Sequence, residues 1–258
     1  MAWPQFAQAV EQCPAAIIPV GPLEPHGRHA PLGTDPYIAH EIALRLGEAT
    51  GALVHPILPI GPMDVVYEFL DLPGAISVDA KLVTSLVTNI GCELHRNGVR
   101  RIVLANGHGP NAAPLTLAAF EIRRTCGAEV GVLDWWTAAG GVVTEIKGFA
   151  YATHGDEIET SLVLATPHAD EVRLDDAVAN PLRLEDVDEK ERDLYLRKVV
   201  FTRRMDERYV GSSGNMGDPS AATSEKGDRI LNATVDLGLA LLEVLEAQDQ
   251  GTSGGADR

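Results

Sequence analysis

The sequence predicts a three-layer α/β/α domain built on a mainly parallel sheet. Three observations carry that reading. Short apolar runs at Ala15 to Val20, Arg101 to Ala105 and Glu129 to Asp134 have the length of buried strands. Turns and segments with apolar residues at helical spacing separate them. Strand-like and helix-like stretches therefore alternate, which favours parallel pairing through crossover helices. In such sheets ligands gather beyond the carboxyl ends of the strands, so chemistry is expected on residues that directly follow a strand.

Taken in order, Trp3 to Gln12 is a helix or turn, and Ala15 to Val20 is a buried strand that breaks at Gly21-Pro22. Asp35-Pro36 reads as a helix N-cap with proline at the first helical position. Ile38, Ile42 and Leu46 then give a helix to about Glu48 one apolar face. Ala52 to Ile60 is a second strand whose ends Pro56 and Pro59 make irregular. Gly61 to Ser77 is a loop rich in Gly, Pro and acids, where Tyr67, Phe69 and Leu72 would line a pocket or, over Met63 to Leu72, a subunit contact. Leu82, Leu86, Ile90 and Leu94 repeat every four residues in a helix from Asp79 to Asn97, stopped by Asn97-Gly98.

The strand Arg101 to Ala105 ends at Asn106-Gly107-His108-Gly109-Pro110-Asn111, which opens a helix to about Arg124. Glu129 to Asp134 is the next strand and runs into Trp135-Trp136. Ala138 to Gly148 reads as a glycine-rich linker. His154 to Ser161 starts a helix that carries Leu162 to Ala165. Pro167 to Asp193 reads as loops and an edge strand, Lys198 to Thr202 as a strand, and Gly211 to Gly217 as a glycine-rich loop. Asp218-Pro219 begins a C-terminal helix to about Ala247. Residues 1–247 thus make one domain, and Gln248 to Arg258 form a tail expected to be disordered.

Composition narrows the classes of function. A chain of 258 residues that is 45% hydrophobic suits one large domain with a sizeable core. A net charge of −16 argues against nucleic acid or an anionic membrane as partner, because both demand clustered Lys and Arg. Cys13, Cys92 and Cys126 are widely spaced, as expected of reduced thiols in a cytosolic protein. No signal peptide, membrane-spanning run or lipidation signal is read, so a soluble cytoplasmic protein is expected.

The densest chemistry follows the first strand, with Glu24, His26, His29 and Asp35. Pro25 excludes a helix interior there, and in extended backbone Glu24 and His26 project to the same side. Two carboxylates and an imidazole in irregular backbone make up most of a divalent metal site. The bland alternative is a solvated loop in which Asp35 is only a cap. His108 sits in a glycine-flanked turn that can place an imidazole at the sheet edge. The same turn competes as a dinucleotide fingerprint, with Gly107-x-Gly109-x-x-Ala112 and Asp134 as the ribose acid; Pro110 and His108 crowd the pyrophosphate approach. In His154 to Glu159 the acids either favour a helix N-terminus or supply a ligand, with Glu157 turned to a metal and Glu159 behind it. Trp135 and Trp136 either wall a pocket for a flat ring or pack in the core.

Together these segments resemble the creatininase family of amide hydrolases. Its G-S-x-E-x-H-G-x-H-x-P-L-x-T-D stretch is similar to Gly21 to Asp35, its N-G-H-G-x-N turn to Asn106 to Asn111, its H-A-G-E-x-E-T-S segment to His154 to Ser161, and its G-D-P-x-x-A-T-x-E-K-G ending to Gly217 to Gly227. The four motifs stand in the expected order over about residues 13 to 245. The resemblance implies a creatininase-like α/β fold and two divalent metal ions per subunit. Glu24 and His108 would hold one ion, His26 and Glu157 the other, and Asp35 both, with His154 as proton shuttle and Glu159 as a supporting carboxylate. Where creatininase itself has a ligand Glu two residues after the turn histidine, this chain has Pro110. Pro22 for serine, Pro25 within the ligand pair, and Y-E-F-L-D-L-P-G-A for the usual pocket loop are further departures.

Ligands of N and O type without cysteine suit zinc, manganese or iron. Such a pair of ions would ionise a bridging water and polarise an amide carbonyl, so the implied activity is hydrolysis of a non-peptide C–N bond in a cyclic amide, lactam or formamide. His154 would protonate the leaving nitrogen. The rival readings are a non-catalytic metal-binding or scaffold member of the fold, and a hydrolase of a cyclic ketone or a peptide. The resemblance also implies a homo-oligomer, often a hexamer, with Tyr67, Trp135 and Trp136 as substrate contacts.

Overall fold

The structure, a computed structural model, describes residues 1–63, 72–147, 154–180, 190 and 213–253. Among them, four parallel strands form one sheet in the order β2-β1-β3-β4. These are β1 (Ala15–Val20), β2 (Leu53–Val54), β3 (Arg101–Asn106) and β4 (Glu129–Asp134). Val20 pairs with Asn106, and Asn106 with Asp134, so three strands finish level at their carboxyl ends. The helices are α1 (Trp3–Gln12), α2 (Thr34–Thr50), α3 (Ala80–Arg96), α4 (Ala112–Cys126), α5 (Trp135–Ala138), α6 (Gly140–Lys147), α7 (Glu157–Leu164) and α8 (Ser224–Ser253).

Strand periodicity divides the core in two. Ile17, Val103 and Ala105 face a layer containing Ile42 of α2, Leu162 of α7 and Ile230 of α8. Their chain neighbours Ile18, Ile102 and Leu104 face the opposite layer, with Val87 of α3 and Ile122 of α4. Successive side chains of a strand point to opposite faces, so runs apolar at nearly every position belong to a sheet covered on both sides. The three-layer α/β/α architecture with a parallel sheet follows directly.

Several local expectations are corrected. Asp35 is not the cap of α2: Gly33 holds that position, the helix begins at Thr34, and Asp35 lies buried in the first turn. In α3 the buried stripe is Val83, Val87 and Gly91, whereas Leu82 and Leu86 are 62% and 44% exposed. The reason is the close approach of α4, since a Cβ added at Gly91 would stand 2.5 Å from Ile122 Cδ1. The second strand shrinks to Leu53–Val54, with an isolated bridge from Val20 to Leu58 between the two prolines. The glycine-rich stretch before residue 148 contains helix α6, whose Val143 is buried in the core against tertiary partners that override its poor start. Helix α8 starts at Ser224 rather than Asp218, and it runs past Ala247 into the expected tail, to Ser253. Pro167 onward forms 3₁₀ turns at Ala169–Glu171 and Leu174–Asp176, and Asn180 bridges to Gly217. The expected strand at 198–202, Tyr67, and residues 64–71 of the expected subunit contact lie outside the described residues.

Candidate metal centre

Two loops at the carboxyl ends of β1 and β3 deliver the site. After β1 the chain turns at Gly21-Pro22 and places Glu24 and His26 in irregular backbone, both buried. After β3 it turns at Gly107 and places His108, whose backbone N–H donates to Asn106 Oδ1 at 3.0 Å. Asn106 Nδ2 in turn donates to Asp134 Oδ1 at 2.7 Å, so the ends of β3 and β4 brace the histidine turn. Gly107 allows close approach: a Cβ there would stand 2.1 Å from the Asp35 carbonyl oxygen. The glycine is needed for Asp35 to reach His108. That approach and the use of Asp134 by Asn106 leave the dinucleotide reading without its pyrophosphate space or its ribose acid.

Asp35 joins the two loops. Its Oδ1 lies 3.1 Å from His26 Nε2 and its Oδ2 2.9 Å from His108 Nδ1. Glu24 Oε2 is also 2.9 Å from His108 Nδ1. On the other side Glu159 Oε2 lies 3.5 Å from His26 Nε2. The remaining nitrogen of each imidazole faces a backbone carbonyl: His26 Nδ1 the Glu24 oxygen at 2.9 Å, and His108 Nε2 the Pro62 oxygen at 2.9 Å. With protons on those nitrogens, His26 Nε2 and His108 Nδ1 are the atoms that face the carboxylates and the ones a bound cation would take.

The donor atoms fit cations. Glu24 Oε2, His26 Nε2 and Asp35 Oδ2 are buried and make no hydrogen bond despite these short separations. Such orphaned polar atoms are costly unless another partner sits between them. Glu24, Asp35 and His108 offer ligand atoms within 4.8 Å of one another, and so do His26, Asp35 and Glu159. Two ions sharing Asp35 would thus each meet three protein ligands, with positions left open as in catalytic rather than structural sites.

Electrostatics agree. Burial opposes charge on His26, yet Asp35, Glu159 and Glu24 hold its pKa up at about 10. His108 is likewise held well above the usual imidazole range, because Glu24 and Asp35 outweigh its burial. Burial would raise Asp35, but the two histidines pull it far below the ordinary carboxylate range. Burial pushes Glu159 up to about 8, with His26 opposing, and it pushes Glu24 up against the pull of His108. The pocket is thus built to hold positive charge among carboxylates. His154, stacked on His26 with ring centroids 4.1 Å apart, is driven the other way. Burial and the charge of His26 push it well below its ordinary value. Its Nε2 lies 2.7 Å from the Pro25 carbonyl oxygen.

Of the expected ligands, the structure brings together Glu24, His26, Asp35 and His108. Glu157 is not with them. Its Oε1 takes Lys226 Nζ at 2.5 Å, and the carboxylate that reaches His26 is Glu159. Asp156 caps α7, accepting from Ile158 and Glu159 N–H groups, which turns Glu157 outward and lets Glu159 reach back to accept from Gly155 N at 2.6 Å. Trp135 is 1% exposed and packs in the core beside Trp136 with ring centroids 5.7 Å apart, so it is not a pocket wall. His29 bonds Thr160 Oγ1 through Nε2 at 2.9 Å, and burial and His26 lower its pKa to about 4, which keeps it neutral. Sequence reading missed Asn106 as the brace of His108 and the role of Gly107; the glycines flanking the histidine were the available signal.

A parallel α/β/α sheet at whose carboxyl edge Glu24, His26 and His108 meet Asp35 of α2 and Glu159 of α7 in overlapping ligand groups fits a metal-dependent hydrolase with a two-cation centre. The chain belongs to the creatininase family (creatinine amidohydrolase), which it matches over residues 1–242. It is 31% identical to the creatinine amidohydrolase of Pseudomonas putida over 238 residues, 85% of each chain. It is 30% identical to the mycofactocin precursor peptide peptidase of Mycobacterium tuberculosis over 245 residues, covering 89% of this chain and 85% of that one. Among solved structures, a manganese form of creatininase superposes with TM-score 0.77 at 28% identity, over 95% of this chain and 96% of the other. A zinc–zinc form of a mutant creatininase gives TM-score 0.76 at 28% identity and the same coverage.

Proposed function

We propose that the chain hydrolyses a non-peptide C–N bond of a small molecule, a cyclic amide, lactam or formamide, with Glu24, Asp35 and His108 around one divalent ion and His26, Asp35 and Glu159 around the other. The observation that carries this reading is Asp35, a 1%-exposed carboxylate whose two oxygens face two different histidines. When bound, such a pair of ions acidifies a water to a pKa near ~7 and polarises a carbonyl. The protein's own part is to fix the ligands before substrate arrives. Backbone carbonyls of Glu24 and Pro62 lock the two imidazole tautomers, and three carboxylates against two dications leave one net positive charge to favour an ionised nucleophile.

His154 is the proton carrier. With its Nε2 hydrogen on the Pro25 carbonyl, Nδ1 is the basic nitrogen, and a ring nitrogen lies within 4.8 Å of ligand atoms of Glu24 and His26. Its lowered pKa keeps it neutral in the resting site and makes a proton taken from the attacking water easy to pass on to the leaving nitrogen. Glu159 takes the ligand position that the sequence assigned to Glu157. The relative named for creatinine supports the cyclic-amide class.

A homo-oligomer in the cytoplasm belongs to the same proposal. Leu82 and Leu86 on α3 and Leu117 and Phe120 on α4 are exposed apolar side chains that a subunit contact could cover, and the three cysteines are free thiols. No described helix is long and apolar enough to cross a membrane.

The test is a hydrolysis screen of metal-loaded protein on creatinine, formamidopyrimidines, small lactams and short peptides with zinc or manganese. Turnover of a cyclic amide, lactam or formamide that chelator and Asp35→Asn both abolish is expected. Cleavage of peptides alone would replace this reading with a peptidase, in line with the mycobacterial relative. Two ions bound and no turnover of any substrate would favour the scaffold reading.

A further inference from the structure

The two halves of the centre rest on different supports. His108 is held at the β3 end, its N–H on Asn106 Oδ1 and its ring on the Pro62 carbonyl, and Glu24 N donates to the Leu32 carbonyl at 3.0 Å. His26 and Glu159 are held by a bracket of three backbone segments, 25–27, 154–155 and 213–217. The middle of the bracket is Asn215, fully buried. Its Nδ2 donates to the Val178 carbonyl at 3.0 Å and the Gly217 carbonyl at 3.3 Å. Its Oδ1 accepts from Ser213 Oγ at 2.6 Å, and its own carbonyl accepts from Asn180 Nδ2 at 2.9 Å.

Those hydrogen bonds fix the place of the Asn215 Cβ, which in turn sets the spacing of two glycines that follow two site histidines. A Cβ added at Gly27, next to His26, would stand 3.2 Å from Asn215 Cβ, and one at Gly155, next to His154, 3.0 Å. The flanking residues complete the clamp, since Gly27 N donates to the Gly214 carbonyl at 3.2 Å and Met216 N to the His154 carbonyl at 2.6 Å. Gly155 N is the donor to Glu159 Oε2. Displacing Gly155 therefore moves a carboxylate that faces His26. None of these contacts is with the Glu24 side chain or His108; apart from Asp35, the halves meet at the Glu24 carbonyl, which faces His26 Nδ1 at 2.9 Å.

We infer that Asn215 is a positioning residue that holds one half of the centre, setting His26 and Glu159 at the spacing of a single cation while leaving the Glu24–His108 half to its own supports. The inference rests on the two-ion reading above. It makes the halves separable: loosening the bracket weakens one ion, by the ~10–100-fold typical when a group that orients a metal ligand is lost, and spares the other.

The experiment is metal stoichiometry of the full chain after equilibration at limiting free zinc, with thermal unfolding of the metal-free protein alongside. Wild type is expected to hold two ions. Asn215→Asp, near-isosteric but lacking the amide donors, and Asn215→Ala are expected to hold one. Adding His108→Ala to either variant should take the count to zero, whereas adding His26→Ala should leave it at one. Ser213→Ala, which removes only the hydroxyl on Asn215 Oδ1, gives a milder loss of the same ion should the larger changes prevent folding. Two ions retained in all three variants, or both ions lost in parallel with a fall in metal-free stability, overturns the inference and leaves the two-ion reading standing. Fewer than two ions on wild type overturns the two-ion reading itself.

Discussion

The exchange of Glu157 for Glu159 gives the sharpest single test of the site. Glu157 Oε1 is paired with Lys226 Nζ, with side-chain exposures of 17% and 30%. A part-exposed pair of this kind is worth ~0–1 kcal/mol, so Glu157→Gln should leave both ions bound and stability nearly unchanged. Glu159→Gln removes a carboxylate lying 3.5 Å from His26 Nε2. Loss of a mere supporting group costs ~10–100-fold in metal affinity, which sets a floor for loss of a ligand. The expected deficit for one ion is therefore at least ~10-fold, ~1.4 kcal/mol. The metal-free protein should tolerate this change. Burial pushes Glu159 up to about 8, which favours its neutral form, and glutamine is a neutral isostere that still accepts from Gly155 N. The assay is bound metal per chain by elemental analysis, with urea unfolding of each apo variant. Loss of an ion in Glu157→Gln together with retention of both in Glu159→Gln would refute the geometry.

Three further predictions address the scaffold. Gly107→Ala would drive a Cβ to 2.1 Å from the Asp35 carbonyl oxygen, so the two loops must part; a loss of ~1–3 kcal/mol by denaturant unfolding and weakened binding of metal are expected, and unchanged affinity would mean that the close approach is not needed. His29 has a folded pKa of about 4 against an ordinary 6.5, so the unfolded chain takes up a proton that the folded one refuses. Its contribution to stability is full above the unfolded value and is lost as pH falls toward the folded one, with a slope of at most ~1.4 kcal/mol per pH unit. His29→Gln should flatten the fall of the urea midpoint across that window, and equal slopes would count against a neutral buried ring. Finally, Val87→Ala should cost ~2 kcal/mol as a buried side chain, while Leu82→Ala, at a 62%-exposed position, should stay within ~0.5 kcal/mol in the monomer. A larger effect at Leu82 in thermal melts that depend on protein concentration would assign that face to a subunit contact.

How much of this was legible in the sequence depends on which interaction decides each feature. Strands β1, β3 and β4 were readable because a sheet covered on both faces demands apolar residues at nearly every position, as Ala15–Val20 shows. Helix α1 and the ends of α3 followed from local signals, with Asp79 accepting from Lys81 N as a cap. The four-residue repeat of Leu82, Leu86, Ile90 and Leu94 marked α3 as a helix, but which stripe is buried was not legible, because the approach of Ile122 over Gly91 chooses Val83 and Val87. Helix α6 was hidden because Gly140 and Gly141 mask a helix held by tertiary burial of Val143.

The ligand exchange on α7 shows a different limit. Positions 157 and 159 are two residues apart, so on a helix they point ~200° apart and cannot serve one site equally. Which one faces the centre is fixed by where the helix starts. With Asp156 as the cap, Glu157 is the first residue of the helix and Glu159 the third, and a third-position glutamate is the one that folds back over the helix start. The signal was in the sequence as Asp156-x-x-Glu159, a capping arrangement whose returning carboxylate lands on Gly155 N instead of the cap's own N–H. An ordinary helix-start device has thereby become the means of aiming a carboxylate at His26. Which carboxylate faces His26 is thus a consequence of backbone geometry at one residue, and moving the cap, for instance by Asp156→Ala, should disturb metal binding through Glu159 even though Asp156 belongs to none of the candidate ligand groups.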